Sequence, residues 1–297
     1  MRDKKTKFGT LSRRSLIGGA AALGSVGLAK VSAVAKSNPD NLPPNVSEWT
    51  PYLGDGVDSN PYGMPSPFEE HVIRRNVEWL TASTESSVNF TPLHDLEGFV
   101  TPNGLCFERH HGGVPEVIPS DYRLMINGLV DREIIFTLDD LKRFPQTNRF
   151  YFLECAANGG MEWRGAQLNG CQYTFGMVHN VQYTGVLLKD LAREVGVRAN
   201  AKWVLAEGGD SSGMNRSIPI NKVMDDCMIA WAMNGEALRP EQGYPARLVV
   251  PGWEGNMWVK WIRRVEFGDM PYMAREETSK YTDLMEDGTA RMFTWVM

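Results

Sequence analysis

The stretch Phe150-Tyr-Phe-Leu-Glu-Cys155-Ala-Ala-Asn-Gly-Gly-Met-Glu-Trp-Arg164 decides how this chain is read. Its first four residues, aromatic and apolar, predict a buried strand. Two alanines and then Asn158-Gly159-Gly160 end that strand in a loop. One thiol therefore stands where a rigid strand hands over to a glycine-bearing loop, a setting in which reactive groups are often held. A lone Cys is most often a small buried hydrophobe. The other readings of Cys155 are a soft metal ligand, bound as the thiolate, and a nucleophile.

On either side, short strands dominate. Tyr122 to Ile126 and Leu129 to Phe136 flank Asn127-Gly128, a hairpin turn signal. Thr137-Leu-Asp-Asp140 predicts a capped helix from Leu138 to Arg143, closed by Pro145. Leu187 to Val195 reads as a short helix ended by Gly196. Trp203 to Ala206, Met228 to Met233 and Arg247 to Val250 read as strands, with Asn234-Gly235 as another tight turn. Val259 to Phe267 alternates and ends the compact part. Upstream, Phe68 to Leu80 is expected as a short helix, and residues 91 to 118 as loop with strand fragments. Many short strands with few short helices predict an α+β fold. No dinucleotide or Walker glycine motif and no internal repeat accompanies them.

The chain has 297 residues, 42% hydrophobic and 23% charged, enough for a sizeable core. Its net charge of -5 argues against a nucleic-acid partner. The N-terminus carries Arg2, Lys4, Lys5, Lys7, Arg13 and Arg14, then a mildly apolar stretch, then Ala33-Val34-Ala35. That order predicts an export signal over residues 1–35, not a membrane span. Ser12-Arg13-Arg14-Ser15-Leu16-Ile17 resembles a twin-arginine signal, which implies a periplasmic protein and a cofactor inserted before export. Residues 36–100 are expected as an extended arm. Cys106, Cys155, Cys171 and Cys227 form no C-x-x-C pair, and no C-x-x-C-H is present, so no haem is expected in this chain.

Four stretches gather functional residue types: Phe107-Glu-Arg-His-His111, the Cys155 loop, Gln242-Gly-Tyr-Pro-Ala-Arg247 and Gly255-Asn-Met-Trp-Val-Lys260. Singly, each reads as readily as polar loop or strand surface. Together, over about Gly104 to Met297, they resemble the sulfite oxidase family of molybdenum enzymes. The resemblance implies that family's molybdopterin-binding fold over residues 101–270, with mixed sheets and short helices. It implies molybdenum with a pyranopterin as cofactor, and Cys155 as the metal ligand. It implies a pterin pocket of Phe107, Glu108, Arg109, His110, His111, Asp190, Gln242, Arg247, Trp258, Val259 and Lys260. Arg109 would clamp developing negative charge. Tyr281 matches the family's active-site tyrosine, although it falls beyond the expected compact part. Family members continue into an immunoglobulin-like dimerisation domain, so the resemblance implies that this domain is missing here and that residues 271–297 begin the linker to it. A homodimer or heterotetramer is expected only with that domain.

Cys155-Ala-Ala-Asn-Gly-Gly160, His179-Asn-Val-Gln-Tyr-Thr-Gly185, Gly213-Met-Asn-Arg-Ser-Ile-Pro219 and Pro251-Gly-Trp-Glu-Gly-Asn-Met-Trp258 narrow the likeness to the molybdenum subunits of sulfane dehydrogenases. So does Arg275-Glu-Glu-Thr-Ser-Lys-Tyr-Thr-Asp283. That group implies a c-type cytochrome partner and a substrate sulfur carried as a persulfide on a Cys of a carrier protein. Sulfite oxidases have an arginine pair where this chain has Gly159-Gly160, and a His where it has Gln242. Less positive charge weakens a site for a small dianion and clears room for a longer arm. Arg164 would restore part of the charge, which keeps sulfite oxidation as the alternative substrate reading. The remaining alternatives are a reductase of the same fold and a cofactor-free fragment that only binds partners.

Overall fold

The computed structural model describes residues 53, 59, 65–78, 83–165, 170–279, 281–284, 286–287 and 290–292. The expected export signal and most of the arm lie outside these residues, as does the side chain of Arg164. The chain divides into Met1–Pro61 and a compact unit, Tyr62–Met297, which carries everything that follows.

That unit opens with an antiparallel ribbon of β1 (Arg75–Asn76) and β2 (Asn89–Phe90). Phe90 is fully buried and meets Tyr173 edge to face at 5.6 Å, so the end of the expected arm is part of the core. Phe68 to Val77 does not form the helix expected up to Leu80, and residues 79 and 80 lie outside the described ones. The 3-10 turn Pro67–Glu69 starts under a Ser66 cap and gives way to β1.

β3 (Leu124–Gly128) and β4 (Ile134–Phe136) pair antiparallel as expected, but Asn127-Gly128 is not their turn. Gly128 is the last residue of β3, at φ +92, and a Cβ there would come within 2.3 Å of the Phe267 carbonyl. It is glycine because a distant strand runs against it. α1 (Leu138–Leu141) follows, with a complete capping box between Thr137 and Asp140. β5 (Gln146–Glu154) leads to Cys155, and α2 (Gly170–Phe175) returns to the long β6 (Val178–Leu187). α3 (Leu188–Val195) ends at Gly196 with φ +69, as its sequence predicts. Then come β7 (Trp203–Gly208), β8 (Asn215–Pro219), α4 (Ile220–Asp225), β9 (Met228–Met233), β10 (Glu236–Ala237), β11 (Arg247–Val249), β12 (Ile262–Gly268), α5 (Arg275–Ser279), β13 (Thr282–Leu284) and β14 (Ala290–Met292).

Two five-stranded sheets make the body. One runs β10-β9-β6-β5, with β11 also on β9; the other runs β4-β3-β12-β7-β8. β12 lies parallel to β3, and the other strand pairs among the described residues are antiparallel. The fold is therefore α+β with mixed pairing, as expected. Asn234-Gly235 is the β9–β10 turn, both residues at positive φ.

The strand before Cys155 is not buried throughout. Along β5 the side chains alternate between faces, so Phe150 and Phe152 share one face and stay about half exposed, while Leu153 on the other face is buried. Its neighbour β6 alternates, and that alternation puts His179, Val181 and Tyr183 on the buried face. Arg275–Ser279, inside the stretch expected as a linker, is a helix whose Glu276 and Glu277 are buried.

Candidate active site

Cys155 follows directly on β5, and the loop after it is fixed by hydrogen bonds. Its N–H donates to Met177 O at 2.9 Å, and its carbonyl accepts from Asn158 N at 2.9 Å. The Asn158 side chain donates to Glu154 Oε1 and accepts from Met177 N, which ties the turn to the start of β6. The turn Gly255–Met257 closes over the thiol. A Cβ on Gly255 would come within 2.9 Å of Glu154 O and 3.3 Å of Cys155 Cα, so glycine allows this approach.

Cys155 borders a cavity of about 80 Å³ that is partly open to solvent. Its wall brings together Phe107, Arg109, His110, His111, Gln242, Arg247, Trp258, Val259, Lys260 and Tyr281, which the sequence nominated from stretches far apart. Glu108 stands behind that wall, bonded to His110 Nε2 at 2.8 Å and paired with Arg74. Asp190 does not join them. It lies on α3 and pairs with Arg193 at 2.8 Å, one turn away on the same helix. Tyr281 is half-buried on the cavity wall, not outside the core as its place in the sequence implied.

The back of the cavity is cationic and buried. Lys260 Nζ donates to Arg109 O at 3.1 Å and to Glu241 O at 3.0 Å, and meets His110 Nδ1 at 2.9 Å. Burial, with the nearby Arg247 charge, brings its pKa down to about 7. Burial also lowers His110, against the pull of Glu108. With Lys260 donating to Nδ1, the His110 Nε2 proton points to Glu108. Burial would raise Glu108, but the His110 hydrogen bond and the Arg74 charge outweigh it and take the carboxyl down to about 2.

Arg247 is buried and uses two nitrogens on backbone carbonyls: Nη1 on Gln242 O and Nη2 on Trp258 O, both at 3.0 Å. Its Nε has no partner. His179 lines the same cavity, with Nε2 3.3 Å from the Tyr183 hydroxyl, and its Nδ1 also lacks a partner. Burial first, then the Arg247 and Lys260 charges, take His179 down to about 3, so it is a neutral ring at ordinary pH. Burial keeps the Tyr183 hydroxyl protonated, with its pKa pushed up to about 12. A Tyr183 hydroxyl that donates to Nε2 leaves Nδ1 as an N–H donor. Unmatched buried donors beside two cationic side chains call for an acceptor-rich, anionic ligand.

Burial raises the Cys155 thiol, and an Ala157 backbone hydrogen bond and the Arg109 charge oppose it. A bound metal would replace that proton. Among the described residues no group of three or more His, Cys, Asp or Glu stands ready to hold a metal. One thiolate therefore fits a metal that brings most of its other ligands with it. A thiol and unpaired donors on the wall of one cavity match a group with a soft metal and a phosphate. Burial, then Cys155, pushes the Tyr281 phenol up to about 12, so it stays protonated and able to donate.

Sequence reasoning missed His179, Asp210, Met214, Asn256 and Trp261, which also line the cavity. His179, Met214 and Asn256 fell inside quoted motifs, and for His179 its place on the buried face of an alternating strand was a further signal. Asp210 lies in a loop and carried none.

Residues 111–275 match the family model described as oxidoreductase molybdopterin binding domain. The chain is similar to mitochondrial sulfite oxidase of Mus musculus, 30% identical over 246 residues, which is 78% of this chain and 42% of that one. It is also similar to NADPH nitrate reductase of Mycosarcoma maydis, 33% identical over 230 residues, 67% of this chain and 23% of that one. It spans less than half the length of these curated relatives. Among solved structures it resembles the sulfane dehydrogenase SoxCD of Paracoccus pantotrophus. The TM-score is 0.81 and the identity 60%, covering 88% of this chain and 67% of that one.

Proposed function

We infer the function from the family to which the chain belongs, the sulfite oxidase family of oxidoreductases with a molybdopterin binding domain. We propose that it is the molybdenum subunit of a sulfane dehydrogenase, oxidising sulfur carried as a persulfide on a partner protein and passing electrons to a c-type cytochrome. The observation that carries this reading is Cys155 on the wall of a cavity that also holds the unpaired donors of Arg247 and His179, in a chain 60% identical to a sulfane dehydrogenase structure. The bound molybdenum–pterin group would supply two-electron oxygen-transfer chemistry that no side chain here possesses.

The chain's own residues divide the remaining work. Cys155 would anchor the metal as a thiolate. Arg247, Lys260 and the His110–Glu108 pair would hold the pterin and its phosphate. Arg109, whose Nη1 donates to His110 O at 2.6 Å, would present its remaining donors to negative charge on the substrate. Tyr281 would donate its hydroxyl proton there as a hydrogen bond. On the same reading, residues 1–35 are a twin-arginine signal and the protein works in a periplasm. Among the described residues no helix is long and apolar enough to cross a membrane.

The test starts with metal and pterin content after export in a native host. The expected result is near one molybdenum per chain, lost in Cys155→Ser, and a far better kcat/KM for a persulfidated carrier than for sulfite with cytochrome c as acceptor. Metal in neither protein would end the reading. Preference for free sulfite would turn it to sulfite dehydrogenase.

A further inference from the structure

α5 is an unusual element to find packed on a core. Its five residues, Arg275-Glu-Glu-Thr-Ser279, include no apolar side chain, and the ones it buries are the carboxylates of Glu276 and Glu277. Met270 and Met273, just before it, are exposed. Among the described residues of α5, the buried side chains are therefore polar.

Those contacts meet at Arg216 on β8, which is fully buried. Its Nε donates to Glu277 Oε1 at 2.7 Å, and its Nη1 donates to Asn256 Oδ1 on the cavity wall. Its guanidinium carbon lies 4.7 Å from the centre of the Tyr281 ring. Glu277 Oε1 also accepts from Ser217 N at 2.8 Å. One guanidinium thus touches α5, the Gly255–Met257 turn and Tyr281. Arg216 Nη2, Asn256 Nδ2 and Glu277 Oε2 are buried and have no partner. Stability alone does not explain such a cluster, since apolar residues of similar volume often serve as well as a buried ion pair. What it does provide is direction, a planar cation that fixes the tyrosine face and the cavity turn together.

We infer that Arg216, paired with Glu277, is a positioning residue that holds the Tyr281 ring on the cavity wall. The inference rests on the proposed action of Tyr281 on substrate, and its test separates the two. 3-Fluorotyrosine is placed at residue 281 of the full holoenzyme, and its fluorine resonance is read in the parent and in Arg216→Gln/Glu277→Gln, which keeps hydrogen-bonding groups and removes both charges. The expected result is a shifted, broadened resonance, unchanged molybdenum content, KM for the persulfidated carrier within about twofold and kcat down by about 10²-fold, the scale of a misplaced group. Should the double variant fail to fold, Arg216→Lys takes its place, because it keeps the charge but loses the fork onto Asn256 and Glu277. An unmoved resonance with kcat within about twofold of the parent, in whichever variant folds, overturns the inference. Tyr281→Phe with parental kcat would sink the tyrosine's role alone, and the resonance would still report on Arg216.

Discussion

Lys260 offers the sharpest test of how the cavity takes its ligand. Burial and then the Arg247 charge bring its pKa down from 10.5 to about 7. At pH 8.5 this amine is then mostly neutral. A phosphate dianion beside the amine favours the charged form and returns the pKa toward its ordinary value. Binding must then take up a proton: about half of one at pH 7 and nearly one at pH 8.5. The swing of 3.5 pKa units is worth at most about 5 kcal/mol, so affinity should weaken by up to about tenfold per pH unit above 7. The assay is calorimetric titration of the apo protein with phenyl phosphate, at both pH values, in two buffers of unlike ionisation heat. Lys260→Met should bind weakly and lose the pH dependence. Tight binding at pH 8.5 with less than about 0.2 proton taken up would refute the reasoning, because the amine would then be charged already or away from the phosphate. Folding responds to pH in the opposite direction: between 7 and 10.5 the unfolded chain holds a proton that the folded one has lost, so the protein without ligand gains stability as pH rises through that window.

Phe90→Ala should cost about 3–5 kcal/mol and lower Tm by roughly 10 °C in calorimetry, since it empties a fully buried ring site against Tyr173. A loss below about 1 kcal/mol would mean that the β1–β2 ribbon is not part of the core. Glu108 has a depressed pKa, so its contribution is present above its ordinary value of 4.5 and lost as pH falls toward 2. Urea unfolding at pH 5 and pH 3 should show that slope in the parent, about 3 kcal/mol across the whole window, and a flatter response in Glu108→Gln. Equal slopes would remove Arg74 and His110 as its stabilising partners.

Much of the cavity was legible because its residues cluster along the chain. Phe107 to His111 and Trp258 to Lys260 are continuous runs, and Cys155 ends a strand that its aromatic residues announce. Local rules also served where local forces decide, at the Thr137 cap, the Gly196 helix end and the Asn234-Gly235 turn. They failed where a distant strand decides. Asn127-Gly128 carries the letters of a hairpin, but Gly128 is there to admit the Phe267 carbonyl of β12. Asp190 satisfies Arg193 one helical turn away, a pairing that its spacing allowed. Arg216 and Tyr281 read as unconnected residues, because the ring contact between them exists only once β8 and α5 have met.

The parallel pairing of β3 with β12 has a consequence for when the site can exist. It joins Met125 to Arg264, so the chain between them must be threaded before either strand gains its partner. Long closures like this slow folding, because chain entropy is spent well before contacts repay it. The cavity wall itself runs from Phe107 to Tyr281. A chain still emerging from the ribosome would present the thiol of Cys155 long before Arg247 and Lys260 had been synthesised. A ligand needing all of these groups would find no grip until Lys260 and Tyr281 had been made and the two sheets had met. Completion of the cavity wall, rather than appearance of Cys155, then sets the earliest moment of assembly.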